Sequence, residues 1–349
     1  MKGWCNAAAV PVSLAPITTA LEEPGGDIDY DVSAMRRNLK SPVFVISFLV
    51  IGLLLFLFLA VWLFQSSGTS SEDAWYDVDG DGNFIVSFYG SIFWVDVNRE
   101  HREKLVSGRE VTFLPGGEQF LFERDDNIWR FNLNDRIQSR VTQPSPEQIN
   151  WYPTFSQTLD IVIFARAEHR RRKSMGGTTG ESFDIYACRL DGSDVRRITK
   201  ERFYDLSIAP HSISGNFLYF DGTRLLHSGS ERAIYRLDLV SGSLTRVVGT
   251  SGAVGVSVSH DGTKLAIMRK PEYYSIQLMD LNNGTLQMIR ITGDEWANYA
   301  SFSTDDQSIY FLEDKKRSGN IRIMQHYLSD GREVELLDLS KLELHERWK

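Results

Sequence analysis

The chain has 349 residues, 42% of them hydrophobic and 12% aromatic, enough for one large domain or two modest ones. Its formal net charge of −8 excludes the basic footprint of a nucleic-acid binder. Its two cysteines, Cys5 and Cys188, fall on opposite sides of the membrane segment described next, which excludes an intramolecular disulfide.

Residues 1–41 contain Pro11, Pro16, Pro24, Gly25 and Gly26 and show no apolar periodicity, the pattern of a tail that does not fold alone. Val43–Phe64 then runs 22 residues without a charge and with one polar side chain, Ser47. As a helix this run is roughly 33 Å long, against a hydrocarbon core of about 30 Å. A transmembrane helix over 42–65 follows. A cleaved signal would have a shorter apolar run nearer the start and a small-x-small site after it. Arg36, Arg37 and Lys40 precede the span, whereas residues 66–73 are a Ser/Gly/Thr linker ending in Glu72 and Asp73. Basic flanks stay inside. The N-terminus is therefore expected in the cytoplasm, and the rest of the chain in the periplasm or its extracytoplasmic equivalent, with a net charge of about −7.

Beyond the linker one strand pattern recurs six times, centred on Ile92, Ile128, Ile185, Ile234, Ile276 and Ile321. These isoleucines stand 36, 57, 49, 42 and 45 residues apart, the spacing of propeller blades. Each copy follows another β-rich run and precedes a turn, clearest in Asp191-Gly192, Ser241-Gly242, Asn283-Gly284 and Asp330-Gly331. Glycine there supplies the positive φ of a tight hairpin. A first strand opens each unit, as in Val254–Ser259 and Tyr299–Ser303. The expected fold is all-β: a six-bladed propeller of four-stranded antiparallel blades over 74–340, preceded by one transmembrane α-helix and followed by a tail at 341–349. Six sheets packed radially bury faces that one sheet alone cannot. The ring closes either through a strand near Trp75 joining the last sheet or through residues 333–339 alone. Cys188, inside a strand, reads as a small core residue.

Asp184-Ile185-Tyr186, Leu190-Asp191-Gly192 and Arg196-Arg197-Ile198-Thr199, with Ser259-His260-Asp261-Gly262-Thr263-Lys264-Leu265-Ala266, resemble the repeat of TolB-type propellers, which are similar to WD-repeat blades without the Trp-Asp signature. The resemblance spans about residues 74–340 and implies the fold. TolB proteins have an extra α/β domain and a cleaved signal; this chain has a membrane span and a linker. Their contact with a peptidoglycan-associated lipoprotein therefore does not transfer. Prolyl oligopeptidase-type enzymes also carry propellers, but their hydrolase domain needs Gly-x-Ser-x-Gly. The nearest string, Gly255-Val256-Ser257-Val258-Ser259, lacks the second glycine.

Asp77, Asp79 and Asp81 alternate as at the start of an EF-hand loop, a weak Ca²⁺ candidate, although Phe88 stands where the bidentate Glu belongs. A plain turn between first and second strands is the other reading. Residues 166–181 interrupt blade three and contain Arg170, Arg171, Arg172 and Lys173, which suit lipid headgroups or an acidic partner unless the loop is merely solvated. Trp151, Tyr152, Tyr204, Trp296 and Tyr299 fall in the expected inter-blade loops, either as an interface or as caps on the core. For channel chemistry Glu110, Asn150, Asp205 and Asn298 are the available ligands, and carboxylates are sparse.

The sequence thus points to a non-catalytic protein-docking scaffold or accessory subunit of a photosynthetic, respiratory or envelope membrane complex, needing no cofactor. Its partners would be proteins in or at the membrane and the bilayer itself through residues 43–64, not nucleic acid. The alternative is a Ca²⁺-dependent, lactonase-like hydrolase with its site in the channel.

Overall fold

β-Branched and aromatic residues at period two build the strands, and Gly, Asp and Asn punctuate them. The computed structural model describes residues 74–98, 101–143, 147–168, 182–199, 201, 203, 205–226, 229–269, 275–291, 296–314 and 320–344. The tail, the span Val43–Phe64 and the linker lie outside the described residues, as do Arg170, Arg171, Arg172, Lys173 and Tyr204. Among the described residues no helix is long and apolar enough to cross a membrane.

Six antiparallel sheets follow one another along the chain. Blade one is β1 (Ala74–Val78), β2 (Asn83–Phe88), β3 (Ser91–Asp96) and β4 (His101–Ser107). Blade two is β5 (Arg109–Phe113), β6 (Gln119–Arg124), β7 (Asn127–Asn132) and β8 (Gln138–Arg140). Blade three is β9 (Gln148–Ser156), β10 (Ile161–Glu168), β11 (Phe183–Cys188) and β12 (Arg196–Arg197). Blade four is β13 (Asp205–Ser207), β14 (Ile213–Ser214), β15 (Phe217–Leu226), β16 (Gly229–Asp238) and β17 (Leu244–Arg246). Blade five is β18 (Ala253–Val258), β19 (Lys264–Arg269), β20 (Ser275–Asp280) and β21 (Leu286–Ile291). Blade six is β22 (Trp296–Phe302), β23 (Ser308–Asp314), β24 (Ile321–Tyr327) and β25 (Glu333–Asp338). Blade four departs from the expected four strands: the two-residue β14 pairs with β15 beside the main path.

The six isoleucines each occupy the third strand and are at most 1% exposed. A buried cluster fills every seam. Ile85 and Ile92 meet Val111 and Phe120 between blades one and two. Leu121 and Ile128 meet Val162 and Phe164. Ile163 and Ile185 meet Phe203 and Phe220. Ile234 meets Val256 and Ile267. Ile276 meets Phe302 and Phe311. Cys188 sits in the second of these seams, and burial pushes its thiol up to about 12, so it packs rather than reacts.

The last seam closes the ring. β25 completes blade six from its own segment, and β1, with Trp75, belongs to blade one. Of the two routes to closure, residues 333–339 therefore suffice. Phe84, Val86 and Phe93 pack against Leu312, Ile321, Ile323 and Leu337. The Tyr76 hydroxyl donates to the Tyr299 carbonyl at 2.7 Å and lies 2.9 Å from Ser301 Oγ. A short helix, α1 (Ser340–Leu344), stands where a tail was expected, and Leu339 and Leu342 tuck into the same cluster.

Turn chemistry fixes the rims. Gly192, between β11 and β12, has φ +84, and a Cβ there would stand 2.2 Å from the Val141 carbonyl oxygen of blade two. Only glycine satisfies both demands.

Candidate functional site

Antiparallel order places the turns between first and second strands on one face and the hairpins between second and third strands on the other. On the first face the six blades surround a polar funnel of about 420 Å³. Asp77 and Asp79 come from blade one, Thr112 from blade two, Thr154 from blade three, and His211 and His260 from blades four and five.

Asp77 is buried at the funnel floor. Its Oδ1 accepts the Val78 backbone N–H at 2.8 Å, and its Oδ2 accepts the Phe113 N–H of blade two at 2.7 Å. His211 reaches it from blade four, with Nε2 2.6 Å from Oδ1. That contact is an ion pair off the N–H axis, so Nε2 has charge complementarity without an aligned hydrogen bond. Burial lowers the His211 pKa, but the Asp77 charge and contact outweigh it, and the net direction is upward. The His260 ring lies 5.7 Å from that of His211, and the His260 backbone N–H donates to Asp306 Oδ1 of blade six at 2.9 Å.

Deeper in, the axis is filled by rings. Trp75 lies 4.0 Å from Tyr299 and 5.7 Å from Tyr152, centroid to centroid. Both tyrosines sit at β-bulges with positive φ, as do Glu110 and Gly255 at the matching places of blades two and five. A bulge adds one residue and re-aims a side chain. Glu110 Oε2 accepts the Tyr152 backbone N–H at 2.6 Å. Burial pushes the Glu110 carboxyl up to about 8; the Tyr152 N–H and Arg109 oppose this and Glu123 adds to it. Asp221 Oδ1 accepts the Gly255 N–H at 3.0 Å, and its other oxygen pairs with Arg232, which also reaches Asp205 at 2.7 Å. Burial raises Asp221, with Arg232 opposing. One device thus recurs at three seams: a carboxyl oxygen of one blade accepts the first-strand N–H of the next.

The sequence-derived candidates distribute as follows. Asp77 faces the axis, while Asp79 is spent in the turn: Oδ1 accepts the Asp81 and Asn83 N–H groups, both at 2.9 Å. Asp81 is the turn residue itself, so the three carboxylates do not converge, because the strand ends between the first two. Among the described residues no group of three or more His, Cys, Asp or Glu is placed to hold a metal ion. Trp151, Tyr152, Trp296 and Tyr299 belong to the first strands β9 and β22, not to inter-blade loops, which corrects their expected location. The strands start earlier than the apolar pattern suggests because bulges break its alternation. Trp151 packs on Phe183 at 5.5 Å, and Trp296 pairs with Asp314.

The channel ligand set is likewise dispersed. Asn150 is fully buried, donates to the Asp126 carbonyl at 3.1 Å and accepts Arg166 Nε at 2.8 Å. Asp205 pairs with Arg232, Glu110 with the Tyr152 N–H, and Asn298 pairs with Leu312 in β22. His211, His260 and the bulge device were missed. Alignment of Glu110-Val111-Thr112-Phe113 with Tyr299-Ala300-Ser301-Phe302 held the signal for the bulges.

No protein-family model and no curated protein matches the sequence. Solved structures do resemble it. A putative TolB from Agrobacterium tumefaciens is 16% identical, with TM-score 0.57 over 71% of this chain and 88% of that one. An oligogalacturonate lyase in complex with manganese is 11% identical, with TM-score 0.53 over 74% of this chain and 73% of that one. The propeller domain of the Trilobed protease from Pyrococcus furiosus, of open velcro topology, is 12% identical, with TM-score 0.50 over 76% of this chain and 84% of that one. At these identities the likeness is one of fold, and the fold is an all-β, six-bladed propeller of TolB-like build.

Proposed function

We propose that the chain is a membrane-anchored, extracytoplasmic propeller that docks a partner protein on its funnel face and performs no catalysis, as an accessory subunit of a larger membrane complex. One observation carries this reading: the acidic groups along the axis already bind the fold's own N–H groups and guanidiniums, and aromatic rings fill the space below them. What is left is a polar recess to which all six blades contribute, open for a partner's side chains.

Mild-detergent purification of the full chain from its native host tests it. A stoichiometric companion should co-purify, and it should be lost when Gln157→Arg and Thr158→Arg crowd the funnel mouth. It should be retained with Val240→Arg, on the outer rim. A lone monomer would defeat the proposal. So would stoichiometric Ca²⁺ with esterase turnover abolished by Asn150→Ala or Asn298→Ala, the signature of the hydrolase alternative.

A further inference from the structure

The face opposite the funnel is where the chain enters the propeller. Ala74, the first residue of β1, pairs with Phe88 beside the Tyr89-Gly90 turn, so it lies at the level of the hairpins between second and third strands. One of these hairpins is longer than its counterpart in blade two. Glu123 pairs with Ile128 in blade two and Asp221 with Ile234 in blade four, each a buried carboxylate opposite a buried isoleucine. Past that point blade two adds one pair, Arg124 with Asn127; blade four adds five, from Gly222 with Ala233 to Leu226 with Gly229. Four extra pairs at about 3.3 Å per residue carry this hairpin about 13 Å further out. Its last strand residues are Arg224, Leu225 and Leu226.

Three consecutive blades also stack arginines on aromatic rings toward this face. The Arg124 guanidinium lies 4.0 Å from the Trp129 ring, and Arg140 lies 5.4 Å from the same ring. Arg166 lies 4.6 Å from Tyr186 and Arg224 5.9 Å from Tyr235. Among the described residues none of these four makes an ion pair with a carboxylate. Two of the nearby acids are engaged elsewhere: Asp184 holds Arg197 at 2.7 Å and Glu231 holds Arg246 at 2.7 Å. Asp125 and Asp126, in the blade-two turn, adjoin Arg124. Arg124 spends one N–H on Gln138 Oε1 and Arg166 one on Asn150 Oδ1, both at 2.8 Å; a stacked guanidinium is held in place and offers its remaining in-plane N–H donors to a phosphate.

We infer that this face rests on an anionic phospholipid surface, with the stacked arginines on lipid phosphates and the β15–β16 hairpin reaching the headgroup layer. The inference rests on the anchored reading above. Residues 66–73, fully extended, span no more than about 29 Å, so a tethered propeller meets the bilayer at high effective concentration. The funnel then points away from the membrane, toward its partner.

The test uses the full chain with Cys5→Ser, reconstituted in liposomes of phosphatidylcholine and phosphatidylglycerol. A fluorophore is placed at Ser230→Cys, exposed and one pair from the end of the long hairpin, or at Gln157→Cys, on the exposed funnel rim. Headgroup-borne spin labels should quench the first site severalfold more than the second. Raising salt should weaken that quenching, and Arg124→Gln with Arg224→Gln should lower it about twofold in these liposomes but not in pure phosphatidylcholine. Equal quenching at both sites, or stronger quenching at 157, overturns the inference while the chain still floats with the liposomes. Loss of flotation overturns the anchored reading and the inference together. If the double variant keeps its lipid quenching but sheds a co-purified protein, the surface belongs to that protein and the inference also falls.

Discussion

Asp77 and His211 meet across the propeller axis from blades one and four, Oδ1 to Nε2 at 2.6 Å, and Asp77 also holds the Phe113 N–H of blade two. A single carboxylate therefore ties three blades at the funnel floor. The folded His211 pKa is raised above its usual value of 6.5, so this tie contributes its full stability below about pH 6.5 and loses it as pH rises through the folded value. The melting midpoint of the detergent-solubilised chain should fall between pH 6 and 9. His211→Gln should remove that part of the slope. A variant with the wild-type slope would show that the pair carries no linkage.

Glu110 titrates with the same sign for a different reason. Burial raises its carboxyl from 4.5 to about 8, so the folded state holds the proton more tightly than the unfolded chain. Stability is highest below about pH 4.5, declines through the interval up to about 8, and stays reduced above it. Glu110→Gln keeps an acceptor for the Tyr152 N–H and has no charge to desolvate. It should leave the melting midpoint almost unchanged at pH 5 and raise it at pH 9. Equal effects at both pH values would place Glu110 in contact with water.

Ring closure depends on one hydroxyl as well as on packing. Tyr76→Phe deletes the donor to the Tyr299 carbonyl and the contact with Ser301 Oγ, leaving a carbonyl at the seam between blades one and six with a lost partner. The expected cost is about 1–3 kcal/mol in denaturant unfolding. Ser301→Ala removes only the second contact and should cost less. Equal costs would mean that the carbonyl bond is not what matters.

The six isoleucines, the turn glycines and the strand alternation were legible because they are local: three or four neighbouring residues carry each signal, and all six repeats agree. The axis was not legible in the same way. Tyr152 and Tyr299 read as loop aromatics because a bulge with positive φ breaks the alternation that marks a strand. Asp77 read as part of a cation loop because its real partners, Phe113 and His211, stand 36 and 134 positions along the chain and arrive only when the ring closes. The length of the blade-four hairpin was hidden because Phe217–Leu226 and Gly229–Asp238 extend through polar residues at Thr223, Arg224, Glu231 and Arg232.

The Asp77-Val78-Asp79-Gly80-Asp81-Gly82 string offers a final, decisive contrast. In a cation loop all three carboxylates would share one ion, and chelation would destabilise the domain. In the structure Asp79 alone builds the turn, accepting from Asp81 N, Asn83 N and Asn83 Nδ2, each at 2.9 Å, while Asp81 accepts nothing from these groups. Asp79→Ala should therefore cost about 1–3 kcal/mol by stranding those donors. Asp81→Asn, at the surface, should stay within about 0.5 kcal/mol of the parent. A chelator should not move the melting midpoint of either protein. A midpoint that drops on chelation and recovers with added Ca²⁺, in the parent but not in Asp81→Asn, would restore the cation loop and remove the turn explanation.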